Sequence, residues 1–231
     1  MADSRLGGVR ACVFDAYGTL FDFNAAARHC RDALGEKADA LSAAWRTRQL
    51  QYTWLRSLMG RHAEFWTVTG EALDVTMEEL GVADRALRAR LMDCYRRLDA
   101  YPEAPALLAA LKRARMPAAI LSNGAPDMLA DAVAAAGIGP DLDAVLSVED
   151  AGIFKPHASV YVLATTRFDL RPEEVCFLSS NAWDAHGAAV FGFKSIWVNR
   201  VGAPRERLPG ALSGEIKTLA ALPTLLGIDA R

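Results

Sequence analysis

The stretch Val9-Arg10-Ala11-Cys12-Val13-Phe14-Asp15-Ala16-Tyr17-Gly18-Thr19-Leu20 decides how this chain is read. Val9 to Phe14 is a short, mostly apolar run that meets a carboxylate and then a tight turn. Such a run, bounded by Gly, predicts a strand buried in a parallel sheet. An acid at the carboxyl end of that strand stands where open α/β sheets place their ligands. Taken alone, Asp15 is better explained as the cap of a turn that contains Gly18. Three later stretches change that balance: Ser122-Asn123-Gly124, Lys155-Pro156 and Ser179-Ser180-Asn181-Ala182-Trp183-Asp184.

Outward from the first strand the pattern changes twice. From about Asn24 to Leu98 it is helical, with little strand signal. Asn24 is a candidate N-cap for a helix ending near Gly35, and a longer helix runs from Lys37 to Met59. Helices near His62 to Leu80 and near Asp84 to Leu98 follow. Leu41, Trp45, Tyr52, Leu55 and Met59 fall on one stripe of the long helix, while Trp54 and Leu58 fall outside it. That is more apolar surface than one packing face needs, so the helix is either sandwiched in its own subdomain or part of a dimer surface.

From Pro102 onward helices and strands alternate. Helices are predicted over Ala104 to Ala114, Asp127 to Ala136, up to about Phe168, and over Ala182 to Phe191. Strands are predicted at Pro117 to Leu121, Asp143 to Ser147, Val175 to Leu178 and Lys194 to Val198, the last clear one. Alternation of this kind implies a parallel sheet with right-handed crossovers. The expected fold is α/β: a Rossmann-like, doubly wound parallel sheet core (1–20 and 99–231) with an α-helical cap (21–98) inserted after the first strand.

Composition narrows the function. The 231 residues are 52% hydrophobic and 23% charged, with a formal net charge of −2. That describes an ordinary globular protein with no long-range attraction for nucleic acid or acidic membranes. Met1 to Gly8 carries no apolar leader run, and no stretch approaches the length of a spanning helix. Cys12, Cys30, Cys94 and Cys176 are scattered, as buried thiols of a reducing compartment would be, so a cytoplasmic location is expected. No two of His29, His62, His157 and His186 have i,i+4 metal spacing, and no zinc site is expected.

Ends of neighbouring parallel strands lie about 5 Å apart, so the side chains they carry can meet. Gathered there are Asp15 with Thr19, Ser122 with Asn123, the ammonium of Lys155, and Ser179, Ser180 and Asn181 with Asp184. A carboxylate beside an ammonium stays ionised and oriented, which suits Asp15 as a nucleophile forming a covalent intermediate. Each residue alone has a plainer explanation. Ser122 could cap the next helix, Lys155 could be an exposed loop lysine before Pro156 at N1, and Arg46 could be a solvated helix arginine. Four such coincidences at four strand ends do not hold jointly.

Phe14-Asp15-Ala16-Tyr17-Gly18-Thr19-Leu20, Ser122-Asn123-Gly124, Phe154-Lys155-Pro156 and Ser179-Ser180-Asn181-Ala182-Trp183-Asp184 resemble the haloacid dehalogenase superfamily. With Trp45-Arg46 and Tyr52-Thr53-Trp54-Leu55-Arg56-Ser57-Leu58-Met59 in the insert, the chain is similar over nearly its whole length to the L-2-haloacid dehalogenases. Phosphatases of the superfamily carry a second Asp two residues after the nucleophile and acidic Mg²⁺ ligands further on. Here those positions read Tyr17 and Ser179-Ser180-Asn181, a poor donor set for Mg²⁺. The resemblance therefore implies a metal-free, cofactor-free hydrolase of short 2-haloacids. Asp15 attacks C2 with inversion, and water then hydrolyses the ester, releasing halide and a 2-hydroxyacid.

By the same resemblance Asp184, Lys155, Asn181 and the Ser179 or Ser180 hydroxyl orient or activate that water, with the base among them left open. Ser122 and the N–H groups near Ala16 and Tyr17 bind the substrate carboxylate. Arg46, Asn123 and Trp183 cradle the halide, and Tyr17, Leu50, Phe65 and Tyr161 form the apolar wall. One departure is Thr47, where the family often has Gln after the cap arginine. A homodimer joined partly through the insert is expected. The alternatives are a Mg²⁺-dependent phosphatase of the same superfamily and a non-catalytic interaction protein.

Overall fold

The computed structural model describes residues 6–228. Its centre is β1 (Ala11–Phe14), whose four residues are all buried. Around it lie β2 (Ala118–Ser122), β3 (Ala144–Ser147), β4 (Val175–Ser179), β5 (Lys194–Val198) and β6 (Gly214–Ile216). All pairings are parallel, in the order β3-β2-β1-β4-β5-β6. Since β1 pairs with β2 on one side and β4 on the other, the crossovers diverge at its carboxyl end. That leaves a crevice, the general ligand position of open α/β sheets. Phe14 is level with Ile120 and Leu178, so Asp15 emerges level with Leu121 and Ser179, one residue before Ser122 ends β2.

The helical block comprises α1 (Ala25–His29), α2 (Arg31–Leu34), α3 (Lys37–Met59), α4 (Phe65–Glu79) and α5 (Arg85–Arg96). The segments linking it to the sheet run side by side: Phe21 bridges Ala100, and Asp22 N donates to Asp99 O at 2.8 Å. Helices α6 (Ala104–Arg113), α7 (Pro126–Ala136), α8 (Ala158–Phe168) and α9 (Ala182–Phe191) are the crossovers, and α10 (Leu222–Leu226) ends the described chain. Strands buried on both faces need helices on both, which the alternation provides. Among the described residues no helix is long and apolar enough to cross a membrane.

Four expectations need correction. The first strand begins at Ala11, two residues late: its partner β4 begins only at Val175, opposite Ala11, because Pro172–Glu174 form a 3-10 turn, although Arg10 N still reaches Glu174 O at 2.7 Å. Asn24 to Gly35 is two short helices broken at Cys30. Asn24 caps neither with its side chain, which instead accepts from Ser42 Oγ at 2.8 Å. The buried stripe of α3 is Ala38, Leu41, Trp45, Gln49 and Thr53, whereas Leu55, Leu58 and Met59 are 50%, 85% and 62% exposed. Finally, β6 was missed: three residues around a Glu carry no pattern, and pairing along β5 makes them a strand.

Candidate active site

Asp15 lies at the crevice and is held from three sides. Thr19 Oγ1, four residues on in the turn, donates to Oδ2 at 3.0 Å. Asn181 Nδ2, at the start of α9, donates to Oδ2 at 2.9 Å. Lys155 Nζ, from the loop before α8, donates to Oδ1 at 3.2 Å. The turn depends on Gly18, whose φ of +91° suits glycine and whose missing Cβ would lie 2.7 Å from Ser180 Oγ. A carboxylate fixed by donors at both oxygens presents one orientation to an incoming carbon, as a nucleophile requires.

Lys155 is 1% exposed, not a loop lysine in water. It bridges Asp15 and Asp184, with Nζ 2.9 Å from Asp184 Oδ2. Its backbone N–H is held by Asn123 Oδ1 at 3.0 Å. Burial alone would lower the lysine pKa, but attraction to Asp184 and Asp15 wins and raises it, so the ammonium persists. Asp184 is wholly buried. Burial raises its pKa, Lys155 opposes that, and Asp15 adds to it. One ammonium shared by two carboxylates leaves the more buried acid more basic than a free Asp.

Asp184 Oδ1 accepts from the Tyr161 hydroxyl at 2.8 Å. This corrects the expectation that Tyr161 lines the apolar wall. The residue has no exposed surface and packs with Phe177, Phe191 and Phe193, steadying Asp184 from beneath. Ser179 Oγ accepts from Asn181 N at 3.1 Å and shapes its own turn. Ser180 shares the Thr19 hydroxyl at 3.3 Å and donates its N–H to it at 2.8 Å.

Arg46 reaches in from α3. Nη2 donates to Asn181 Oδ1 at 3.3 Å and Nη1 to Gln49 Oε1 at 2.8 Å, and the guanidinium lies 5.0 Å from the Phe23 ring centroid. Arg46, Leu50 and Trp54 form an i, i+4, i+8 row. Trp54 packs edge-on against Trp183 with centroids 5.4 Å apart. Phe65 is buried and its ring lies 5.7 Å from that of Tyr17. Leu50 is half-buried on the same row. Thr47 faces solvent, its hydroxyl bonded to Ala43 O, so the departure there does not touch the site.

The Ser122 hydroxyl accepts from Gly124 N at 3.0 Å, and Gly124 lacks a Cβ where Tyr17 would leave it only 2.9 Å. Ser122 therefore closes its own turn instead of capping α7. Among the described residues the Tyr17 hydroxyl has no hydrogen-bond partner, and burial raises its pKa well above the ordinary value. Ala16 N and Tyr17 N donate to no backbone carbonyl among the described residues, leaving two N–H groups beside Asp15.

Gln49 was missed. It is buried, accepts from Arg46, and donates Nε2 to Thr69 Oγ1 at 2.7 Å and Tyr95 Oη at 3.1 Å. A polar residue in the apolar slot i+4 from Trp45 was the available signal.

The residues do not suit Mg²⁺. A cation at this edge would need the Asp15 carboxylate and the carbonyl of Tyr17, yet Asn181 Nδ2 donates to both, at 2.9 and 3.3 Å. Among the described residues no three His, Cys, Asp or Glu side chains gather as a metal site.

A parallel sheet with this order, an aspartate at the end of its first strand and a helical block above it define a hydrolase of the haloacid dehalogenase type. The family model for haloacid dehalogenase-like hydrolases matches residues 9–192, and the chain belongs to that family. It is 48% identical over 220 residues to (S)-2-haloacid dehalogenase 1 of Pseudomonas sp. (strain CBS-3), covering 94% of this chain and 96% of that one. It is 45% identical to (S)-2-haloacid dehalogenase 4A of Burkholderia cepacia, covering 94% and 95%. Among solved structures, the L-2-haloacid dehalogenase of Xanthobacter autotrophicus with chloropropionic acid covalently bound superimposes with a TM-score of 0.88. That pair is 40% identical, with 95% of this chain and 98% of that chain covered.

Proposed function

We propose that this chain hydrolyses short (S)-2-haloacids to (R)-2-hydroxyacids and halide. Asp15 attacks C2 opposite the halogen, the C–O bond forms as the carbon–halogen bond breaks, and the halogen leaves with the electron pair. Water then attacks the Asp15 ester carbonyl, which frees the hydroxyacid and restores the carboxylate. Asp184 takes the water's proton, for which its raised basicity suits it. Lys155 keeps both carboxylates in place and offsets their charge. The N–H groups of Ala16 and Tyr17, with Ser122, receive the substrate carboxylate, and Arg46, Asn123 and Trp183 face the departing halide.

The observation that carries this reading is Asn181 Nδ2 bridging Asp15 Oδ2 and the Tyr17 carbonyl, a donor where a phosphatase needs a cation. A halide needs neither a proton nor a metal to leave. The relatives' names and the covalently bound chloropropionate in the Xanthobacter enzyme support the same route. Racemic 2-chloropropionate in EDTA tests it. Chloride release at an undiminished rate, with the (S) acid consumed and (R)-2-hydroxypropionate formed, is the expected result. Mg²⁺-dependent release of phosphate from a generic ester, without dehalogenation, would reject it.

We also propose that two copies pair through the far end of α3. Leu55, Leu58 and Met59 present a contiguous exposed apolar face, which a monomer gains nothing by keeping in water. Light scattering at micromolar concentration should give twice the chain mass, and a monomer would count against the pairing.

A further inference from the structure

Past β5 the chain turns at Asn199, whose Nδ2 donates to Ala203 O at 2.9 Å and whose Oδ1 accepts from Ala203 N at 2.8 Å. The next residue, Arg200, projects from this turn onto the segment that follows the nucleophile. Nη2 donates to the Thr19 carbonyl at 2.8 Å and Nε to the Gly18 carbonyl at 3.3 Å. Nη1 donates to Glu103 Oε1 at 2.6 Å, and the guanidinium carbon lies 3.6 Å from the Tyr101 ring centroid. Glu103 is itself anchored by Thr218 Oγ1 at 2.9 Å, and Tyr101 N donates to Leu20 O at 2.8 Å. A single guanidinium thus ties the nucleophile turn to the segment returning from the helical block and, through Glu103, to the chain beyond β6.

Thr19 stands between Arg200 and Asp15. Its carbonyl is gripped by the arginine, and its hydroxyl donates to Asp15 Oδ2 at 3.0 Å while accepting from Ser180 N. We infer that Arg200 is a positioning residue: by fixing the Gly18 and Thr19 carbonyls it sets the Thr19 hydroxyl, and through it the attacking orientation of Asp15. Lysine cannot substitute. A point charge on a flexible stem does not reach two carbonyls and a carboxylate while lying flat on an aromatic ring. The inference rests on the proposed dehalogenation only for its kinetic assay.

The test is a double-mutant cycle of Arg200→Lys and Thr19→Val. Alone, Arg200→Lys should lower kcat on the order of 10²-fold with little change in KM, the scale of loss for a misplaced reacting group. With Thr19→Val already present, the same change should cost no more than about threefold, since residues acting through one another are not additive. The ¹³C chemical shift of the Asp15 carboxyl, which needs no substrate, is read in the same four proteins. It should move with Arg200→Lys only where Thr19 is intact. If Arg200→Lys fails to fold, Glu103→Gln, which removes the guanidinium's anchor, takes its place. Additive kcat losses with an unmoved carboxyl signal would overturn the role. Absence of halide release by the wild-type protein would instead reject the functional reading, and the carboxyl signal would still decide Arg200.

Discussion

Asp15→Asn abolishes steady-state turnover and leaves the fold in place. The three groups that face Asp15, the Thr19 hydroxyl, the Asn181 amide and the Lys155 ammonium, are all donors to it. An amide fills the same volume but offers one acceptor oxygen and turns an NH₂ toward donors. It has no anionic oxygen to displace a halide, and the Lys155 ammonium keeps only Asp184 as counter-charge. Loss of the covalent route removes the whole nucleophilic contribution, so no measurable kcat is expected. Single turnover of the wild-type protein in ¹⁸O-water distinguishes the routes. Label should appear on Asp15 before it appears in product, because water attacks the ester carbonyl and not C2. Unlabelled Asp15 with labelled first-turnover product would mean that water attacks carbon directly.

Arg46→Ala should cost roughly 10²–10³ in rate, about 2.7–4 kcal/mol, by analogy with donors that act mainly on transition-state charge. The arginine comes from α3, yet its guanidinium donates to Asn181, which in turn donates to Asp15. It is therefore the cation that the helical block contributes above the crevice, held in place by Gln49 and Phe23. If it serves the departing halide, the loss falls on kcat. If it anchors the substrate carboxylate, the loss falls on KM. Arg46→Lys should recover only part of the rate, because an ammonium cannot bond Gln49 and Asn181 as a planar fork does. An unchanged kcat/KM in Arg46→Ala would return this residue to an ordinary place on its helix.

The sheet, its alternating helices and the block inserted after the first strand were legible because they depend on local patterns. Apolar runs of strand length, Gly and Pro stops and helical spacing are written within a few residues of where they act. The convergence of Asp15, Lys155, Asn181 and Asp184 was legible for a related reason. Parallel strands in one sheet bring their carboxyl ends to one edge, so a residue's place at a strand end is also its place in space.

Tertiary structure alone decided what depends on how helices dock. Tyr161 and Phe65 are both aromatics in helical segments of the sequence. Helix α8 turns the first beneath Asp184, and α4 sets the second against Tyr17. Gln49 follows Trp45 by one helical turn, and only the docking of α3 on α4 gives its amide Thr69, with Tyr95 of α5 beside it. Leu55 and Met59 shared a stripe with buried Leu41, but α3 runs beyond what covers it and leaves its end in water. Arg200, some 180 residues from the turn it grips, carried no signal, since its acceptors on that turn are backbone carbonyls that any sequence supplies. Periodicity determines which residues share a face. Which partner that face meets is set by packing between segments distant in the chain, and no local pattern records it.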